Sequence, residues 1–223
     1  MSSPKRQRVT PSLRQDFPVS TSYKKPPKSV IIAGRTLPIN RDILDLLFNW
    51  MAERDRIRRR RVVGQSPPWT KNKIMQTNKF CNVFRDHDRG TQYMISEVIN
   101  KGDRSFKETC FRVILYNCFK RESTWEALVA GLGPLKWSTF KYRAYGAVLA
   151  THHQGGQVPL YTAAYQIPPP GYGHAVHYKN HLEAVETMMK DGLPRKLLAA
   201  TSMKDMFELV CQYRGIGQFI GYQ

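Results

Sequence analysis

The 223-residue sequence has no Gly-Lys dipeptide, so it cannot form the G-x-x-x-x-G-K-[ST] loop that cradles nucleotide phosphates. Any kinase or ATPase activity would have to come from another polypeptide. Cysteine is sparse, and Cys81, Cys110, Cys118 and Cys211 include no C-x-x-C pair. That spacing removes the common zinc half-site and the dense disulfide framework of small secreted proteins, leaving thiols expected to be reduced and buried. His181-Leu182-Glu183 spells the H-x-E of a zinc deaminase, but no Pro-Cys-x-x-Cys follows to complete it, so neither a metal nor another cofactor is expected. No apolar run approaches the roughly 20 residues of a membrane span, and the N-terminus lacks a signal-type apolar stretch. The chain therefore reads as a soluble, intracellular protein with no membrane partner. Acidic residues are also scarce: 17 Asp and Glu face 35 Lys and Arg, a net charge of +18. What remains is 41% hydrophobic and 11% aromatic, enough to build the core of one ordinary domain with a tail.

The tail is residues 1–37, where Lys5, Arg6, Arg8, Arg14, Lys24, Lys25, Lys28 and Arg35 stand against Asp16 among five interrupting prolines. This composition predicts a disordered basic arm. Lys5-Arg6-Gln7-Arg8, behind Pro4, reads either as a nuclear-import cluster or as a solubilising tail. The first reading places the protein in the nucleus, the second leaves it cytoplasmic.

From residue 38 the periodicity is helical. Ile43, Leu44, Leu47 and Met51 recur behind Asn40 as N-cap, and Gly64 with Pro67-Pro68 ends that segment. A second helix is expected from Thr70 through Ile74, Asn78, Cys81 and Phe84. A third carries Met94, Ile95, Val98 and Ile99, and a fourth Phe106 to Cys118. Ser123 and Glu126 are spaced as a capping box before Leu128, with Gly131 as the stop, and another helix covers Thr139 to Thr151. The Gly- and Pro-rich stretch 152–174 predicts a flexible connector. Helices resume at 175–190, 194–199 and 202–213. No strand alternation or hairpin dipeptide stands out, so the expected fold is all-α.

Three local signals point towards nucleic acid. At Val210-Cys211-Gln212-Tyr213-Arg214-Gly215-Ile216-Gly217 an apolar helix ends in Gly-apolar-Gly, the pattern of a helix–hairpin–helix element over 202–223. Glycines at 215 and 217 would let backbone N–H groups approach a phosphate, a contact that positions a duplex without reading its bases. A plain glycine-ended turn is the alternative. The run Arg58-Arg59-Arg60-Arg61 fans around a helix, so at most two of the four can reach the same phosphates, and others can pair with Glu53 and Asp55. Third, Trp69 after two prolines leads to Asn82, Arg85, Asp88 and Arg89. Arg85 and Asp88 can pair at i, i+3 to fix a helix end, or Arg and Asn can donate to a base or phosphate while Asp88 orients them.

Trp50-Met51-Ala52-Glu53-Arg54-Asp55-Arg56-Ile57, Pro67-Pro68-Trp69-Thr70, Phe80-Cys81-Asn82-Val83-Phe84-Arg85-x-x-Asp88-Arg89 and the closing Gly215-Ile216-Gly217-Gln218-Phe219-Ile220-Gly221 together carry a resemblance. Over roughly residues 40–223 the sequence resembles the helical domain associated with 5-hydroxymethyluracil (5-hmdU) DNA kinases, with phage and fungal members the natural comparison. That domain is similar to α-glutamyl/putrescinyl thymine pyrophosphorylases, which resemble helix–hairpin–helix DNA glycosylases. The resemblance implies a helical DNA-binding domain that handles a modified thymine, by presenting a flipped base. It also implies a functional aspartate in a helix beyond Gln223, so the element at 202–223 is expected to be C-terminally truncated. The face of Phe207 and Val210 is then expected to lack its cover.

Three functions follow as expectations. The first is a DNA-binding domain contacting phosphates through Arg58, Arg59, Arg60, Arg61, Trp69, Asn82, Arg85, Arg89, Arg214, Gly215 and Gly217, with a separate kinase or modification enzyme as partner. RNA is open as an alternative ligand, since charge alone does not distinguish it. The second is an enzyme acting on a 5-substituted thymine, with Asp88 and Arg85 as the catalytic candidates. The third is an inert interaction protein using the Pro-rich loop 159–173 or the basic arm. Without a phosphate-binding loop or the later helix, the chain alone leans away from catalysis.

Overall fold

In the computed structural model, residues 27–163 and 167–222 are described. The cluster Lys5-Arg6-Gln7-Arg8 and part of the loop 159–173 lie outside the described residues. Two compact units divide the chain, the first ending at Asn78 and the second starting at Lys79.

The first unit contains strands, which corrects the all-α expectation and, from Ser29 onward, the disordered arm expected over residues 1–37. β1 (Ser29–Ile32) and β2 (Arg35–Pro38) pair antiparallel with Ser29 opposite Pro38 and Ile32 opposite Arg35. Ala33 and Gly34 turn the chain at φ values of +49° and +76°, the double left-handed geometry of a two-residue hairpin. Ala-Gly is a weak hairpin dipeptide, and four-residue strands are too short to show a period. Helix α1 (Arg41–Val62) follows, with the Asn40 carboxamide oxygen accepting from Ile43 N at 3.2 Å as the sequence foretold. Helix α2 (Lys73–Thr77) is much shorter than expected and is capped by Asn72 rather than Thr70. Asn78 ends it by adopting an extended backbone, while its backbone N–H and its side-chain amide both donate to Ile74 O at 3.0 Å. Cys81 is consequently exposed rather than buried.

The second unit opens with a 3₁₀ turn at Arg85–His87, helix α3 (Arg89–Tyr93) and a π-helical turn at Met94–Ile99. Helices α4 (Phe106–Phe119), α5 (Glu122–Leu132), α6 (Tyr142–His153) and α7 (His177–Lys190) then build the core. Phe111 and Leu115 of α4, Leu128 of α5, Leu149 of α6 and Leu182 and Val185 of α7 are almost completely removed from solvent and pack together with Val98. Each such side chain contributes roughly 1.5–3 kcal/mol of burial. No capping box forms at α5: Arg121 occupies the N-cap position, and Ser123 Oγ accepts from Arg121 Nε at 3.0 Å. Gly131 does not stop α5 either. It lies inside the helix where a Cβ would sit 2.8 Å from Val148 Cγ2 on α6, and Gly133, at φ +74°, is the terminator.

Two charged side chains of α4 are buried for structural reasons. Glu108 accepts from Trp137 N and, at 3.1 Å, from Ser138 N, fixing the turn before α6. Arg112 donates through Nε to Val98 O at 2.7 Å, satisfying a carbonyl at the end of the π-helical turn. Between α6 and α7 the connector contains a short 3₁₀ turn at Gln154–Gly156, and Asn180 of α7 pins its far end. The Asn180 side chain accepts from Tyr172 N and His174 N at 3.0 and 3.2 Å and donates to His174 O at 2.7 Å.

Helices α8 (Leu193–Ala199), α9 (Met203–Cys211) and α10 (Gln218–Tyr222) complete the unit. Contrary to the expected uncovered face, α10 packs on α9. A Cβ on Gly221 would meet Cys211 Sγ at 2.6 Å, Phe207 at 3.4 Å and Val210 at 3.5 Å, so glycine allows the two helices to close on one another. Among the described residues no helix is long and apolar enough to cross a membrane.

Candidate nucleic-acid interface

In the first unit the arginine run is held by its own neighbourhood. Asp55 accepts from Arg58 Nε at 2.9 Å and Arg59 Nε at 2.7 Å, one and the same carboxylate bridging both. Burial opposes ionisation of Asp55, yet the hydrogen bonds from Arg59 and Arg58 outweigh it and hold the carboxyl below its usual range. A hydrogen bond from Thr70, with Arg56 beside it, does the same for Glu53. Arg60 donates to Trp69 O, and the Arg61 guanidinium lies 5.2 Å from the centre of the Trp69 ring. Trp69 Nε1 in turn donates to Gln65 O at 2.6 Å. Arg58–Arg61 thus form a cationic ridge at the end of α1, with Arg58 and Arg59 on the one Asp55 carboxylate, Arg60 on the Trp69 carbonyl and in the field of Glu53, and Arg61 over the Trp69 ring.

In the second unit the segment 82–89 is folded mainly by local bonds. Asn82 Nδ2 donates to His87 O at 2.7 Å. Asp88 is the N-cap of α3, its Oδ2 accepting from Gly90 N at 3.0 Å and Thr91 N at 3.2 Å. That engagement gives Asp88 a structural role and accounts for it without acid–base chemistry. Arg89 reaches Glu122 at 3.6 Å while its side chain stays 93% exposed. Arg85 lies near Lys120, whose pKa is lowered by burial and further by the Arg85 charge. Lys120 was not legible as a site residue. It caps α4 in a left-handed conformation, φ +47°.

The glycines of the α9–α10 turn differ from one another. Gly215, at φ +81°, is packed so that a Cβ would lie 2.7 Å from Pro170 Cβ, whereas the same atom on Gly217 would meet nothing within 4 Å. The freedom expected at both is therefore spent at Gly215 on a contact with Pro170, and only Gly217 offers an open backbone. Arg214 is exposed and sits 5.8 Å from the centre of the Tyr172 ring.

Beside this turn, α4, α7, α8 and α9–α10 enclose a cleft of about 260 Å³. Its walls are mainly apolar, from Ile114, Met188 and Leu197 among others, while Asn117, Lys120, His181 and Arg214 supply the polar atoms. His181 is only 2% exposed. Its Nδ1 lies 3.1 Å from Tyr161 Oη, and the backbone of Ile167, Pro168 and His177 lies close enough to favour its charged form. Burial pushes the His181 pKa down to about 4, so the imidazole is neutral at pH 7. Glu183, its partner in the H-x-E spelling, points elsewhere and pairs with His174 at 2.5 Å, so the two do not form a metal half-site.

This helical unit, with its cationic rim and glycine turn, has recognisable relatives. Residues 41–223 match the family model of the 5-hmdU DNA kinase helical domain, and the chain belongs to that family. Among curated proteins it is similar to a 5-hmdU DNA kinase of Bacillus phage SP10, with 30% identity over 149 residues, which cover 64% of this chain and 23% of the phage protein. The chain thus spans about a quarter of the length of that relative. A phage relative argues against the nuclear expectation drawn from Lys5-Arg6-Gln7-Arg8. No solved structure matches the chain.

Proposed function

We propose that this chain is a DNA-binding helical domain that engages thymine-derived bases within a thymine-hypermodification system, with the phosphoryl-transfer chemistry residing elsewhere. The observation that carries the reading is membership of the 5-hmdU DNA kinase helical family over residues 41–223 in a chain of net charge +18. The absence of Gly-Lys supports the division of labour, since a phosphate-binding loop cannot be assembled from these residues. The kinase or modification chemistry then belongs to residues other than these, in a separate enzyme or in a longer form of the chain.

The α9–turn–α10 element serves as the helix–hairpin–helix, in the manner of helix–hairpin–helix DNA glycosylases, with Gly217 presenting open backbone and Arg214 the charge. Arg85, Arg89 and Asn82 supply further phosphate contacts, and Arg58–Arg61 with Trp69 form a second contact. The domain 38–223 carries the binding, and the basic segment 1–37 adds non-specific attraction. Duplex binding measured by anisotropy across a salt series tests this. Neutralising Arg58 and Arg61 together should lower the slope of log Kd against log salt by about 2, since each lost phosphate contact removes roughly 0.9. An unchanged slope would remove the ridge from the interface.

A further inference from the structure

All eight residues of the hairpin β1–β2 are exposed. Yet Val30 and Ile32 of β1 and Leu37 of β2 are apolar and share one face of the pleat, with Val30 directly opposite Leu37. An isolated two-stranded hairpin is at best marginally stable in water and gains independence from further strands, or from a helix on its apolar face. Two residues separate β2 from α1, where Ile43, Leu46 and Leu47 recur at the i, i+3, i+4 spacing that usually marks a buried stripe. All three are exposed, Leu46 at 69%. An apolar sheet face and an apolar helix stripe thus stand open within the first unit.

Charge and strand edges narrow what covers them. Residues 29–52 carry Arg35 and Arg41 against Asp42 and Asp45, no net charge in a chain of +18. DNA or an anionic bilayer finds no excess of cations there, whereas a second copy can approach at this patch without the repulsion it meets elsewhere. The two edges of the hairpin differ. β2 carries Arg35 and ends in Pro38, which has no N–H to donate, and charge and proline are the usual means of blunting an edge. β1, Ser-Val-Ile-Ile, has neither. Donors and acceptors recur along an antiparallel edge so that it is complementary to itself under a twofold axis. We propose that two copies of this chain pair antiparallel through β1, forming a four-stranded sheet that joins Val30, Ile32 and Leu37 of both on one face, with the α1 stripes as its cover. Arg59 lies about 20 Å further along α1 than Leu46, so both arginine ridges stay free for DNA.

Sedimentation and light scattering of the full chain, with no DNA present, test this independently of the DNA-binding reading. A reversible dimer should form at about micromolar concentration and tighten from physiological to high salt, because salt screens the repulsion between two copies of charge +18. Ile32→Lys and Leu46→Lys, both at positions exposed in the single copy, should each raise the dimer dissociation constant at least about tenfold, since the twofold axis repeats every change. Tyr222→Lys, 84% exposed on the second unit, should alter it less than about twofold. Amide exchange gives a second reading, in which the β1 amides gain protection as concentration rises. A chain that is monomeric at every concentration overturns the proposal: β1 amides protected at all concentrations then place the cover within the same chain, and unprotected ones leave the edge to a different protein. A dimer that dissociates as salt rises, or that survives Ile32→Lys and Leu46→Lys combined, overturns it as well.

Discussion

Gly215 and Pro170 pack so closely that a Cβ on the glycine would lie 2.7 Å from the proline Cβ and 3.0 Å from its Cα. The contact joins the turn between α9 and α10 to the connector before α7, and both line the cleft. Space and conformation act together here, since the backbone φ of +81° already disfavours a side chain. Gly215→Ala should destabilise the chain by about 1–3 kcal/mol and loosen the turn. Gly217→Ala, facing open space, should change stability by less than about 0.5 kcal/mol. Urea unfolding of the two variants checks the contrast, and equal effects would contradict it.

Lys120 holds a left-handed backbone without being glycine. Such a residue costs on the order of 1 kcal/mol. Lys120→Gly should therefore stabilise the fold by about 0.5–1 kcal/mol. Thermal unfolding measures the gain, and an unchanged or lower midpoint would contradict it.

His181 ties stability to pH. Its pKa of about 4 in the folded state lies below the ordinary value of 6.5, so in the window between them the unfolded chain binds more protons. The contribution is complete above pH 6.5 and is lost as pH falls towards 4. Between pH 7 and pH 4.5 the loss should be roughly 2–3 kcal/mol. Chemical denaturation of His181→Phe over the same range should show a flatter profile, and a parallel one would place the effect in other groups.

Much of the helical framework was legible because local and global signals agree there. At α1 the Asn40 cap and the apolar spacing both announced the same start. Where they disagree the sequence misled. The apolar stripe Ile74–Phe84 read as one helix, but the backbone turns extended at Asn78, which periodicity cannot reveal. Gly131 read as a stop, although its purpose is the close approach of α5 to Val148, a partner set only by the tertiary fold. The same limit applies to the site. Arg58–Arg61 and Arg214 stood out as charge, whereas the cleft unites the end of α4, the middle of α7 and the α9–α10 turn. Lys120 therefore carried no local mark, and His181 stood out only through an H-x-E spelling that the fold does not use.

The most direct test of the central claim is the affinity of the purified chain for matched duplexes carrying thymine or 5-hydroxymethyluracil, titrated from low to physiological salt. A DNA-binding domain of a thymine-hypermodification system should keep measurable affinity at physiological salt and favour the modified duplex by several-fold, about 1 kcal/mol. Equal binding that vanishes as salt rises would mean that the net charge of +18 alone attracts DNA, and would contradict the account.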